Sequence, residues 1–165
     1  MRILASAALV ACSFFVGSST APAADVDVAN PAPHALESTD LILNRVKEDK
    51  AVLYDVREKR EWDEGHLDEA KLLPLTELGK KLTDPEYVEK LKKDFPKDKP
   101  IYLHCKVGGR SVLAGEALRK ELGPEYDFRP LKQGYDELLE AGFVDSSLRK
   151  ANPVAEASPK TDEDT

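Results

Sequence analysis

From residue 36 onward the apolar positions fall into two alternating patterns, short unbroken runs and spacings of three or four residues. Ala51-Val52-Leu53-Tyr54, ending at Asp55, and Ile101-Tyr102-Leu103-His104 are continuous runs of strand length, the second the best candidate for a buried strand. Lys71-Leu72-Leu73 is a shorter run stopped by Pro74, and Tyr126 to Arg129 reads as a fourth strand. Between them lie helical spacings. Ser38 or Thr39 can cap a helix carrying Leu41, Ile42 and Val46, and 58–63 suggests a short helix. Helices are predicted near 76–82 and 85–95, the second with Tyr87, Val88, Leu91 and Phe95 on one stripe. Two more follow, over 111–120 and 135–139. Strands separated by helices predict an α/β fold, an open parallel sheet covered by helices on both faces. Neither an internal repeat nor a heptad interrupts the pattern.

The ends read differently. Met1-Arg2, an apolar stretch from Ile3 to Val16 and small residues to Ala24 have the order of a secretory signal peptide over 1–23, with Ala21-x-Ala23 at the cleavage site. The stretch is short for a spanning helix of about 20 residues. The expected localisation is therefore export, to a periplasm. Leu9-Val10-Ala11-Cys12 also resembles a bacterial lipobox, which would anchor the chain to a membrane through a lipidated Cys12. Residues 24–35 read as a flexible tether and 150–165, without aromatic residues, as a disordered tail. One domain over 36–149 remains.

Charge and cysteine count narrow the chemistry. The chain has 165 residues and a formal net charge of −7, which becomes −8 if 1–23 are removed, because Arg2 is the one charged residue there. An acidic surface argues against nucleic acid as a partner, and an anion site on it has to rely on local donors. Of 2 cysteines, Cys12 would leave with the leader, so Cys105 would stand alone without a disulfide partner. A lone thiol in an oxidising compartment is either buried in the core or put to use.

The surroundings of Cys105 favour use. Ligands of open parallel sheets bind beyond the carboxyl ends of the strands. Cys105 is delivered there by the 101–104 run and is followed by Lys106-Val107-Gly108-Gly109-Arg110-Ser111 and a helix. The two glycines allow successive N–H groups to turn inward as an anion nest, and the helix adds the positive end of its dipole, favouring the thiolate. Arg110 can fork onto an oxyanion, and Lys106 adds a point charge. The plainer reading is an ordinary strand-to-helix turn with a solvated Arg110. His34, His66 and His104 show no ligand spacing with either cysteine, and no metal or other cofactor is expected. His104 precedes the nucleophile on a strand, so its side chain should point away from the pocket and serve packing.

Three motifs together resemble the rhodanese family of single-domain sulfurtransferases: Asp55-Val56-Arg57, the run Glu61-Trp62-Asp63-Glu64-Gly65-His66-Leu67-Asp68-Glu69-Ala70, and the loop Cys105 to Ser111. The resemblance covers about 36–145. It implies that Cys105 accepts a sulfane sulfur as a persulfide, cradled by Lys106, Val107, Gly108, Gly109, Arg110 and Ser111. Asp55 and Arg57 would be structural or at the pocket edge, and Trp62 and His66 would organise the turn below the pocket. The implied ligand is a small sulfur-containing anion such as thiosulfate, with a small thiol, cyanide or a protein thiol as sulfur acceptor. A sulfur-relay or binding module with little small-molecule turnover is the alternative. Four residues separate Cys105 from Arg110, which resembles the sulfur-sized cradle, whereas related phosphatases and arsenate reductases carry five. Lys106 stands where the family has arginine, and Gln133 where it has the first glycine of a Gly-Gly-aromatic stretch.

Overall fold

The protein is described here by a computed structural model covering residues 34–147. The leader, Cys12, the tail and the tether up to residue 33 lie outside the described residues.

Four strands, β1 (Val52–Asp55), β2 (Ala70–Leu72), β3 (Ile101–Cys105) and β4 (Phe128–Gly134), form one sheet in the order β2-β1-β3-β4. Every pairing is parallel. Six helices connect or flank them: α1 (Thr39–Lys47), α2 (Lys59–Glu64), α3 (Leu75–Lys81), α4 (Pro85–Asp94), α5 (Gly109–Leu122) and α6 (Tyr135–Glu140). Among the described residues no helix is long and apolar enough to cross a membrane.

Local sequence sets the ends of these elements. Ser38 Oγ accepts the Leu41 N–H at the start of α1, and Asp84 accepts the Glu86 N–H at the start of α4, with Pro85 in the first turn where its missing donor costs nothing. Gly123, in the left-handed region at φ +99°, ends α5.

Alternation along the strands sends side chains to two cores. Tyr54, Ile101, Leu103, Cys105 and Phe128 pack on one face with Leu78 of α3, Leu91 of α4 and Ala114 and Leu118 of α5. Phe95 meets Tyr54 and Phe128 edge-on, with ring centroids 5.1 and 5.3 Å apart. Leu53, Tyr102 and Leu131 face the other way, onto Ile42 and Leu43 of α1 and Leu138 of α6. Both faces are thus covered, as the pattern predicts. All five residues of β3 are buried because it has a strand on each side and a helical layer above and below.

The fourth strand departs from expectation: it runs over 128–134, not 126–129. Tyr126 leaves the strand to pack in the core and donates its hydroxyl to the Lys92 carbonyl at 3.0 Å. Pro130, Lys132 and Gln133 hide the remainder from a search for apolar runs. Pro130 is tolerated because β4 is an edge strand, where a missing N–H breaks no ladder. Its carbonyl accepts the Ala35 N–H at 2.8 Å, and His34 is also bonded to the domain, so the last two residues read as tether lie against it. Opposite Cys105 the register shifts: Leu103 pairs with Pro130 but Cys105 with Gly134, so β4 carries two more residues than β3 across that step.

Candidate active site

β3 ends by presenting two consecutive side chains to opposite faces. Cys105 turns toward α5, and His104 toward Tyr135 at the start of α6, its ring centroid 6.5 Å from the tyrosine's. The Cys105 residue is fully buried at the floor of the loop, and its Sγ receives the Gly108 N–H at 3.1 Å. Above it Lys106 and Val107 form the exposed tip, with Val107 80% accessible.

Two glycines shape this loop, and they are not the adjacent pair. Gly108 has φ +88°, and a Cβ there would lie 2.6 Å from the Lys132 carbonyl oxygen. Gly109 has no such requirement: it opens α5, two residues earlier than predicted, and nothing lies within 4 Å of where its Cβ would be. The second obligatory glycine is Gly134, whose Cβ would be driven into the Lys106 carbonyl, while the next N–H, that of Tyr135, donates to that carbonyl at 3.3 Å. The loop is therefore fitted backbone to backbone against the end of β4.

Both cations of the loop are already paired. Arg110 donates to Glu61 through both terminal nitrogens, at 2.6 and 2.8 Å, a bidentate fork that holds the Glu61 carboxyl down at about 2. Glu61 in turn raises Arg110 above its ordinary range, chiefly through the same hydrogen bonds. Three guanidinium hydrogens stay uncommitted by that fork. Lys106 Nζ lies 2.6 and 2.9 Å from the Asp136 carboxylate and 5.6 Å from the Tyr135 ring centre. Ser111, expected among the anion donors, instead directs its hydroxyl at carbonyls, with Oγ 2.5 Å from Gly108 O and 2.8 Å from Leu131 O. A groove of about 540 Å³ beside the tip is lined by Lys106, Val107, Lys132, Gln133, Asp136 and Glu137.

The opposite face holds a buried polar cluster. Arg57 embraces Asp55 through Nε and a terminal nitrogen, donates to the Gly65 carbonyl at 2.8 Å and stacks 4.0 Å above the Tyr135 ring. His104 Nε2 is 3.8 Å from Asp55 Oδ2, too far for a hydrogen bond. Burial pulls the His104 imidazole down to about 4 against the opposing pull of Asp55, so it is neutral at neutral pH. Both its direction and its charge state suit packing.

Trp62 and His66 stack with ring centroids 3.7 Å apart, and His66 Nδ1 lies 2.9 Å from Trp62 O and 3.0 Å from Ser146 Oγ. The Ser146 N–H returns to the His66 carbonyl at 2.8 Å. The pair thereby fixes the end of α2 to the 144–146 segment and holds Glu61, one residue earlier, where Arg110 meets it. Glu61, Tyr135 and Asp136 are the site residues that sequence reading passed over; Glu61 stands in the second motif, but its partner is 49 residues away. Among the described residues no group of three or more His, Cys, Asp or Glu side chains could hold a metal ion.

A thiol at the carboxyl end of a parallel strand, enclosed by a short backbone loop that runs into a helix, defines a class of cysteine-loop α/β domains. Residues 38–141 match the model of the rhodanese-like domain, and the chain belongs to that family. Human single-domain sulfurtransferase TSTD1 superposes with a TM-score of 0.51 at 24% identity, over 66% of this chain and 96% of that one. Saccharomyces cerevisiae single-domain sulfurtransferase RDL2 gives 0.51 at 25% identity, over 68% and 94%. By sequence the chain is 32% identical over 109 residues to a probable molybdopterin-synthase adenylyltransferase of Porphyra purpurea, covering 66% of this chain and 24% of that protein. It thus spans about a quarter of that curated relative.

Proposed function

We propose that the protein is a sulfurtransferase that carries a sulfane sulfur as a persulfide on Cys105. The observation that carries this reading is the Gly108 N–H directed at Cys105 Sγ inside a loop with four residues between cysteine and arginine. In the first half-reaction the Cys105 thiolate attacks the outer sulfur of thiosulfate or a related donor. A Cys105–sulfur bond forms, the donor's S–S bond breaks, and its electron pair leaves on sulfite. In the second half a thiophilic acceptor, cyanide or a thiol, attacks the outer sulfur and returns the thiolate. Loop amides stabilise the anionic sulfur, and the uncommitted Arg110 hydrogens and Lys106 serve the departing anion. Lys106, Val107, Gly108, Gly109, Arg110 and Ser111 build the cradle; Asp55, Arg57, Trp62 and His66 support it.

Full burial of Cys105, with both loop cations paired, supports a second reading, a sulfur-relay module that opens to a protein donor or acceptor and turns small molecules over slowly. Intact mass after incubation with thiosulfate, beside Cys105→Ala, separates the two. The sulfurtransferase reading expects a gain of one sulfur that requires Cys105 and is discharged by cyanide as thiocyanate. Failure to load, with Cys105 still open to alkylation, would sink thiosulfate as donor and favour the relay. The 1–23 leader supports export to a periplasm, with anchoring at a lipidated Cys12 as its alternative; the mass of the protein from a secreting host tells cleavage after Ala23 from acylation at Cys12.

A further inference from the structure

The Gly108–Gly109 peptide is the softest point of the cradle, since neither residue has a side chain to resist rotation. It is also where orientation matters. All described peptide bonds are trans, so the Gly108 carbonyl and the Gly109 N–H point in opposite directions. As a first-turn donor of α5 the Gly109 N–H has no acceptor within the helix. A flip of this peptide would turn a carbonyl oxygen toward the thiolate in place of that donor.

A grip on the Gly108 carbonyl, which belongs to the buried N-cap residue of α5, opposes the flip. Ser111 Oγ is within reach of it, but equally within reach of the buried Leu131 carbonyl, and a hydroxyl has one hydrogen to give. His34 Nε2 lies 3.3 Å from the Gly108 oxygen, and since a carbonyl only accepts, the ring must donate. His34 is held for this by its neighbours: the Ala35 N–H bonds Pro130 O at 2.8 Å, and the Glu37 carboxylate takes Arg129 at 2.9 Å and the Tyr102 hydroxyl at 2.9 Å. His34 lies ahead of the residues matched by the family model.

We propose that His34 is a positioning residue for the sulfur cradle: by donating from Nε2 to the Gly108 carbonyl it locks the 108–109 peptide with its N–H turned into the loop. The role rests on the sulfurtransferase reading, and acts through the backbone without touching the sulfur.

The test uses the full chain with His34→Ala, His34→Gln and Ala35→Pro, the last removing the N–H that anchors the segment. Two rates are read: alkylation of Cys105 by iodoacetamide at fixed pH, and sulfur loading from thiosulfate followed by intact mass. His34→Ala should slow both about fivefold, with the maximal loading rate falling and the half-saturating thiosulfate concentration unchanged. His34→Gln, which keeps an N–H donor, should recover to within about twofold of wild type, and Ala35→Pro should resemble His34→Ala. Wild-type rates in His34→Ala would overturn the proposal, as would a folded His34→Gln as slow as the alanine variant. A wild type that alkylates but never loads sulfur sinks thiosulfate as donor and favours the relay, and the alkylation series still decides the role of His34.

Discussion

Two arginine–carboxylate pairs bracket the end of β3, and burial separates their tasks. Arg57 and Asp55 are enclosed on the His104 face, their side chains 5% and 0% exposed. Arg110 and Glu61 meet on the Cys105 side with 32% and 25% of their side chains exposed. The enclosed pair has no water to fall back on, so every donor and lone pair must be met by protein, and Arg57 meets Asp55, the Gly65 carbonyl and the Tyr135 ring at once. The rim pair retains access to solvent and spare guanidinium hydrogens, so it can exchange partners. One arginine is committed on every side, the other keeps hydrogens for a further acceptor.

Breaking the enclosed pair should have the largest effect. Asp55→Asn leaves the Arg57 charge buried without a counter-charge and should cost about 3–5 kcal/mol, read as a shift in the urea midpoint. The same face should impose an acid limit. His104 titrates at about 4 when folded, against 6.5 for the free side chain, so below pH 6.5 the unfolded chain takes a proton that the folded one refuses. Its contribution is present above pH 6.5 and is lost as the pH falls to about 4, a decline of about 3 kcal/mol. Stability curves across that window should flatten in His104→Leu; an unchanged slope would assign the acid sensitivity elsewhere. The smallest effect should come from the rim. Glu61→Gln frees Arg110 for a dianion and should lower the half-saturating thiosulfate concentration about threefold with little change in melting temperature. A large loss of stability there would show that the rim pair is structural after all.

The layered fold was legible because its strongest signals are local. The continuous runs at 51–54 and 101–104 mark strands, the second of them a buried one, and the stripe Tyr87, Val88, Leu91 fixes the face of α4. β4 was displaced in the reading because Pro130 and Lys132 lie on an edge, where alternation is free to lapse. The same limit applies to the site. Cys105 and its loop are contiguous and could be found. The partners that neutralise Arg110 and Lys106 come from α2 and α6, 49 and 30 residues away, and charge pairs at such separations leave no spacing to recognise. Gly134 stood in the sequence only as the glycine after Gln133 in the stretch resembling a Gly-Gly-aromatic segment; its necessity comes from the Lys106 carbonyl passing over it, a contact made only once the sheet has formed. The depth of Cys105 was hidden because the continuous run was taken to end at His104, whereas Cys105 is the last residue of the buried strand β3.

The position of Pro130 on β4 has a consequence for how copies of this domain behave in a crowded solution. Open sheets invite strand-by-strand polymerisation through whatever backbone their outermost strands leave unsatisfied. Here one margin is only three residues long, and the other lacks a donor at Pro130, whose acceptor is capped by Ala35. Neither margin offers a long template for another copy, and the short N-terminal segment that bonds the Gly108 carbonyl also covers the acceptor left on that outer strand.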